Sequence, residues 1–526
     1  MWAPEGASCK AAAEFKPNQP LRHTGRALAA SLLIAFGACA ALPAAAQSGL
    51  PTLGDGSDLT LADERRLGDR IIRQFYRDPD YIDDAVLGEY VQGLWQALLA
   101  AARARGELSP ELDERFAWEV LLGRDRTVNA FALPGGYLGV HLGLMGVVGS
   151  RDELASVLAH ELSHVTQRHI SRLMTRQGHQ TPLMLGAMVL GILAASKNPD
   201  AGQALMVGGQ ALAVQNQLNF SRDMEREADR IGYGLMAPAG FAPQGFVGMF
   251  DKLQQANRLN DNGSWPYLRS HPLTSQRVAD MQSRQPPGSS AAVPQASFED
   301  AMLAARARVL SNPGVDVWRQ WLAEPQGSGF AALTPARQGA VLYAAVLAAS
   351  QLREPAAARA LWPRLHEVVR GDARAQRQVQ LLAAEVELAA GEAEAALRAV
   401  PAGAGRPELL LRAQALLHTP RASGGADAVQ IAGQLQTWVA THPLDASAWQ
   451  MLASVWQAQG QTLRAVRAEA EAHAARYDYA AAVDRFRAGQ DAARKSRAPA
   501  DFVEASIIDT RLRAVQSLLR EQAAER

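Results

Sequence analysis

The run VLAHELSHVTQRH, residues 157–169, holds three of the eleven histidines in a chain of 526 residues. His160-Glu161-Leu162-Ser163-His164 within it is an H-E-x-x-H. On a helix, positions four apart are offset by only about 40°, so both imidazoles can meet one ion. Glu161 is turned about 100° from His160, so it flanks the pair without taking a coordination place. Zinc lowers the pKa of water it binds to about 7, and a carboxylate placed there can take the proton and pass it to a leaving amine. The motif fixes only three residues and does not make a site by itself.

A catalytic zinc keeps three protein ligands and one open position, so a third ligand is needed. His169 lies nine residues after His160, whereas the metzincin pattern wants glycine at plus seven and histidine at plus ten, where this chain has Gln167 and Ile170. On a continuous helix His169 would also be rotated about 140° from His164, which makes it a surface residue or a support for a ligand. The other candidate lies in NFSRDMEREADRIGYGLM, residues 219–236, where Glu225 and Asp229 are four apart and share a helix face. Glu225 can ligate, while Asp229 can accept the N–H of a ligating histidine and orient it. The same segment also reads as a solvated face, with Arg222, Arg226 and Arg230 paired to the acids.

Around these residues, hydrophobic spacing predicts helix from Asp63 to about Arg105, through Leu67, Ile71, Ile72 and Phe75 and then Leu87, Tyr90, Val91, Leu94 and Leu98. Alternation of Phe116, Trp118, Val120 and Leu122 predicts a strand over 115–125. Residues 128–145 read as a strand pair about the turn Pro134-Gly135-Gly136. Leu154, Val157, Leu158 and Val165 give the motif helix an apolar face, and helical composition continues to about residue 257. The segment LMLGAMVLGILAA, 183–195, is too short to span a bilayer; it reads as a buried helix or as a flap that touches membrane or unfolded substrate.

Residues 283–297, rich in Pro, Gly and Ser, form a linker. Beyond it the chain is Ala-, Leu-, Arg- and Glu-rich helix with regular breaks. Trp449, Leu452, Ala453, Trp456, Ala465 and Ala472 fall where a tetratricopeptide repeat wants them, while Glu469 and Tyr477 depart from it. Tyr343 to Leu361 and Val379 to Leu397 are weaker copies, and the alternative is an irregular helical bundle.

Lys plus Arg and Asp plus Glu both number 53, so no global charge points to nucleic acid. Arg22 and Arg26 precede an apolar run from Ala27 to Leu42 and then Ala44-Ala45-Ala46, the pattern of a cleavable signal peptide over 1–46. A short membrane anchor and a lipid attachment at Cys39 are the alternatives. Cys9 and Cys39, the only two cysteines, both lie in this segment, so a metal site in the remaining chain must use His and carboxylate. The expected fold is mainly α: an α+β zincin-like catalytic domain with a small sheet at 47–282, the linker, and an all-α repeat domain at 298–526.

H-E-x-x-H followed by E-x-E-A-D some sixty residues later resembles the HtpX-like gluzincin peptidases. That resemblance makes Glu225 the third zinc ligand, Asp229 the residue that orients a ligand, and Glu227 a neighbouring acid. NAFALPGGYLGV resembles the family's strand beside the active-site cleft, where a peptide could add as a strand. LPTLGDGSD followed by DERRLGDRI resembles the exported branch, in which this domain precedes a tetratricopeptide array. SHPLTSQR, 270–277, is similar to a family loop whose histidine can occupy the fourth zinc position, here His271, with Arg277 near the site as an oxyanion stabiliser.

The resemblance implies a periplasmic endopeptidase with one Zn2+ per subunit, held by His160, His164 and Glu225, with Glu161 as general base and then acid. Its implied substrates are misassembled outer-membrane proteins, and its repeats would dock on the assembly machinery. A client-binding chaperone or scaffold with a structural zinc is the rival reading.

Overall fold

The computed structural model describes residues 59–176, 222–258, 264–285, 296–419, 425–495 and 499–524. The signal-peptide segment, the apolar run 183–195 and most of the linker 283–297 lie outside the described residues. The fold is mainly α, with one four-stranded sheet. Among the described residues no helix is long and apolar enough to cross a membrane.

The stretch expected as helix from 63 to 105 is two helices, Leu61–Phe75 and Ala85–Ala104, separated by the two-residue strand β1, Tyr81–Ile82. Each helix starts on a side-chain cap: Thr60 accepts from Asp63 N at 3.1 Å and Asp84 from Leu87 N at 2.8 Å. The strand expected over 115–125 is shorter, β2 at Glu119–Gly123, because Pro110–Arg115 forms a helix and Trp118 sits at φ 52°. The strand pair is present as β3, Ala130–Leu133, and β4, Tyr137–His141, paired antiparallel. Its turn needs glycine, since Gly135 and Gly136 have φ of 78° and 84°. β2 pairs with β4 in parallel, so the order is β1-β2-β4-β3 and β3 forms an outer edge.

The motif helix, Arg151–Thr166, is capped by Ser150 and buried on every side from Glu153 to Thr166. It is a central helix, not one with a single apolar face. Helix Arg222–Met236 lies against it, and a Cβ on Gly232 would stand 3.0 Å from the Ala159 backbone, so the close approach needs glycine. The helix does not continue to His169. Arg168 adopts φ 52°, sends its guanidinium to Glu64 at 3.0 Å, and a new helix, His169–Arg176, begins.

After residue 298 the chain forms antiparallel helical hairpins, among them Pro335–Gln351 with Pro355–Val368 and Ala446–Ala458 with Thr462–Ala475. Leu452, Ala453, Trp456, Ala465 and Ala472 are all buried. Tyr477, where the repeat pattern expects proline, has φ 59°, which proline cannot adopt, and its hydroxyl lies 2.7 Å from that of Tyr137 on β4. The hairpins pack directly on the first half. Leu303, Ala307, Leu381 and Ala384 share one buried cluster with Trp95 and Leu98.

Buried Arg306, on helix Phe298–Leu310, donates to Asp84 at 2.6 Å, Glu385 at 2.7 Å and the Tyr343 hydroxyl at 3.2 Å. Arg306→Ala would strand both carboxylates in that interface. We expect a loss of about 3–5 kcal/mol in chemical denaturation; a loss below about 1 kcal/mol would show that water replaces the guanidinium freely.

Candidate active site

The motif helix presents His160 and His164 on one face, and helix Arg222–Met236 presents Glu225 and Asp229 toward them. His271 arrives from the end of the short helix Pro266–Ser270, its ring stacked on Tyr267 at 4.6 Å between centroids. His160, His164, Glu225 and His271 thus converge, each offering a donor atom within 4.8 Å of the others. All four are essentially buried.

The spacing suits one small cation. His160 Nε2 lies 2.9 Å from His164 Nε2 and 3.3 Å from His271 Nδ1. Glu225 Oε1 lies 3.1 Å from His271 Nδ1 and 3.5 Å from His164 Nε2. Metal–ligand bonds of about 2.0–2.1 Å in a tetrahedron put donors about 3.3 Å apart. Three nitrogens and a carboxylate oxygen at these separations fit zinc.

Glu161, fully buried, points beside this cluster. Its Oε2 accepts from Ala132 N on the edge strand β3 at 3.0 Å, whereas Oε1 has no hydrogen-bond partner among the described residues. His271 Nε2 stands 3.5 Å from that oxygen. An unsatisfied carboxylate oxygen in the interior is costly, and a water or a substrate proton would satisfy it.

Asp229 Oδ1 lies 2.9 Å from His160 Nδ1. Arg277, expected near the site as an oxyanion stabiliser, is engaged with carboxylates. Its Nε and NH2 bind Asp229 at 2.6 and 2.8 Å, and NH1 reaches Glu225 Oε2 at 2.8 Å and Pro272 O at 2.9 Å. Buried and so engaged, the guanidinium positions two carboxylates and the loop after His271. Burial favours the neutral acid at Asp229, but Arg277 and His160 hold its carboxyl below the usual range.

His169 takes the second of its two expected places: it is fully buried, not on the surface, with Nδ1 2.9 Å from His164 Nδ1 and Nε2 3.1 Å from Glu227 Oε2. The rotation of a continuous helix does not apply to it, because the helix breaks at Arg168. The partners of Arg277 had no sequence signal either, since two carboxylates about fifty residues upstream leave no mark in local spacing.

Burial alone would push the His160 imidazole down, but the carboxylates of Asp229 and Glu225 beside it raise it to about 9. In chelator-treated protein the folded value therefore lies above the ordinary one of about 6.5. The stability this adds is fully present below about pH 6.5 and is lost as pH rises through about 9. The melting temperature of the metal-free protein should fall across that window, and fall less in Asp229→Asn; a level or rising profile in the parent contradicts the assignment.

Comparison with known proteins agrees with this centre. The model of Peptidase family M48 matches residues 95–285, a span containing every residue of the cluster. The beta-barrel assembly-enhancing protease of Escherichia coli (strain K12) is 33% identical over 267 residues, covering 50% of this chain and 53% of that protein. A Vibrio cholerae relative is 37% identical over 252 residues, covering 46% of this chain and 49% of its own length. The mitochondrial metalloendopeptidase OMA1 of Arabidopsis thaliana is 34% identical over 164 residues, 31% of each chain. The chain thus spans about half the length of the bacterial relatives it matches. Residues 95–285 are thus similar to the metallopeptidases of family M48.

Proposed function

We propose that this chain is an exported zinc-dependent endopeptidase that degrades misassembled envelope or outer-membrane proteins and assists their assembly. The observation that carries the reading is the pairing of a four-donor cluster with a buried carboxylate, Glu161, whose Oε1 has no hydrogen-bond partner among the described residues. A purely structural metal has no use for a base in that place. The substrate class follows from the names of the bacterial relatives. The signal-like segment at 1–46 supports a periplasmic location, and the helical hairpins of 298–526 would serve as a tetratricopeptide-like docking module.

In this reading His160, His164 and Glu225 hold one zinc ion, which supplies Lewis acidity to water and to the scissile carbonyl. Glu161, anchored through Oε2 by the Ala132 N–H, receives the proton of the attacking water at Oε1 and returns it to the leaving amine. A substrate segment would lie along the outer edge of β3, whose Ala132 sets Glu161 in place. His271 occupies the fourth donor position and so closes the site. Its withdrawal must precede substrate entry, and Arg277, bonded both to Pro272 O and to Asp229, ties that loop to the ligand carboxylates.

Glu161→Gln should lower casein cleavage by at least about 100-fold while zinc content stays near that of the parent; equal cleavage would leave the client-binding scaffold as the better reading. His271→Ala at saturating zinc should raise casein cleavage severalfold, measured as initial rate. Unchanged or lower cleavage removes the closing role.

A further inference from the structure

Glu227 lies between the two acids already assigned, on the same helix, but is turned away from the donor cluster toward the short helix His169–Arg176. Its Oε2 lies 3.1 Å from His169 Nε2 and 3.0 Å from Arg172 NH1. The other ring nitrogen of His169 lies 2.9 Å from His164 Nδ1.

Hydrogen placement along this row follows from one end. A ring nitrogen that binds a cation must be bare, so a His164 that ligates through Nε2 carries its hydrogen on Nδ1. That hydrogen needs an acceptor, and the atom facing it is His169 Nδ1, which must then be bare. The His169 hydrogen sits on Nε2 and donates to Glu227 Oε2. At the far end the Arg172 guanidinium donates to the same carboxylate oxygen. Every donor on the row meets an acceptor, and an ionised carboxylate, which only accepts, permits no reversed order.

We propose that Glu227, acting through His169, fixes the tautomer and ring orientation of His164, as Asp229 does directly for His160. Both residues are positioning residues. The helix Arg222–Met236 would thereby supply one ligand and, through Asp229 and Glu227, the outer support of both ligand histidines. The break at Arg168 is what makes this arrangement reachable, because it turns His169 back onto His164. The inference rests on the zinc reading of the site.

The test is zinc affinity of the full chain by competition with a chromogenic chelator, alongside the melting temperature of the zinc-free protein as a check on folding. His169→Phe should weaken zinc binding by about 10–100-fold and Glu227→Gln by about 10-fold. His169→Gln, which keeps a neutral acceptor toward His164, should fall between parent and His169→Phe. Glu227→Gln added to His169→Phe should cost nothing further, because the row is already cut.

Parental affinity in His169→Phe overturns the proposal. So does a Glu227→Gln penalty that is the same in the parent and in the His169→Phe background, since Glu227 would then act independently. A parent chain that binds no zinc overturns the metal reading and this inference together. Tight binding by the parent with no effect of either variant overturns this inference alone.

Discussion

The constraint on which the rest depends is the burial of His160, His164, Glu225, Asp229 and Arg277 in one water-poor interior, each no more than 4% exposed. Removing ionised groups from water costs several kcal/mol apiece, so the cluster is tolerable only if each charge meets a partner in good geometry. The bidentate Arg277–Asp229 pair meets that condition on one side, with His160 Nδ1 2.9 Å from Asp229 Oδ1. On the other, His160, His164, His271 and Glu225 bring donor atoms within 4.8 Å of one another, a set that one cation could bind.

Placing those groups demands a close approach of two helices, and the fold is shaped around it. Ala159 and Gly232 let the helices meet without a side chain between them. The edge strand β3 then lies beside the motif helix, close enough for a backbone N–H to fix Glu161. The helical half is not a loosely tethered arm around this core. Arg306 binds Asp84, Arg406 joins Asp83 to Asp445, and Tyr477 meets Tyr137 on the strand adjacent to β3. A displacement of the hairpins is therefore felt at the sheet that sets the base.

The donor set was legible in sequence because helical periodicity alone places positions four apart on one face, and both His160/His164 and Glu225/Asp229 use that interval. The β3–β4 hairpin was legible because Pro134-Gly135-Gly136 demands a turn. The parallel pairing of β2 with β4 was not, since register between strands separated in sequence is set by side-chain packing rather than by any local signal. Which of its two expected places His169 would take was not legible for a related reason: nothing about an arginine announces φ 52°, and the Arg168 guanidinium binds Glu64, about a hundred residues away. Tyr477 breaks the repeat pattern on similar grounds, since a contact made across the whole chain outweighs the local preference for proline.

The fourth member of the cluster is of a different kind. His271 adds a fourth donor to a set that needs three, stacks on Tyr267 and lies 3.5 Å from the oxygen of Glu161 that a substrate water would use. A residue kept there only for stability would be a poor choice, because a second apolar ring against Tyr267 would cost less to bury. A histidine makes sense where the position must be filled in one state and vacated in another. Asp229 stands against His160 and Arg277 against Glu225, so these two donors also have partners other than His271.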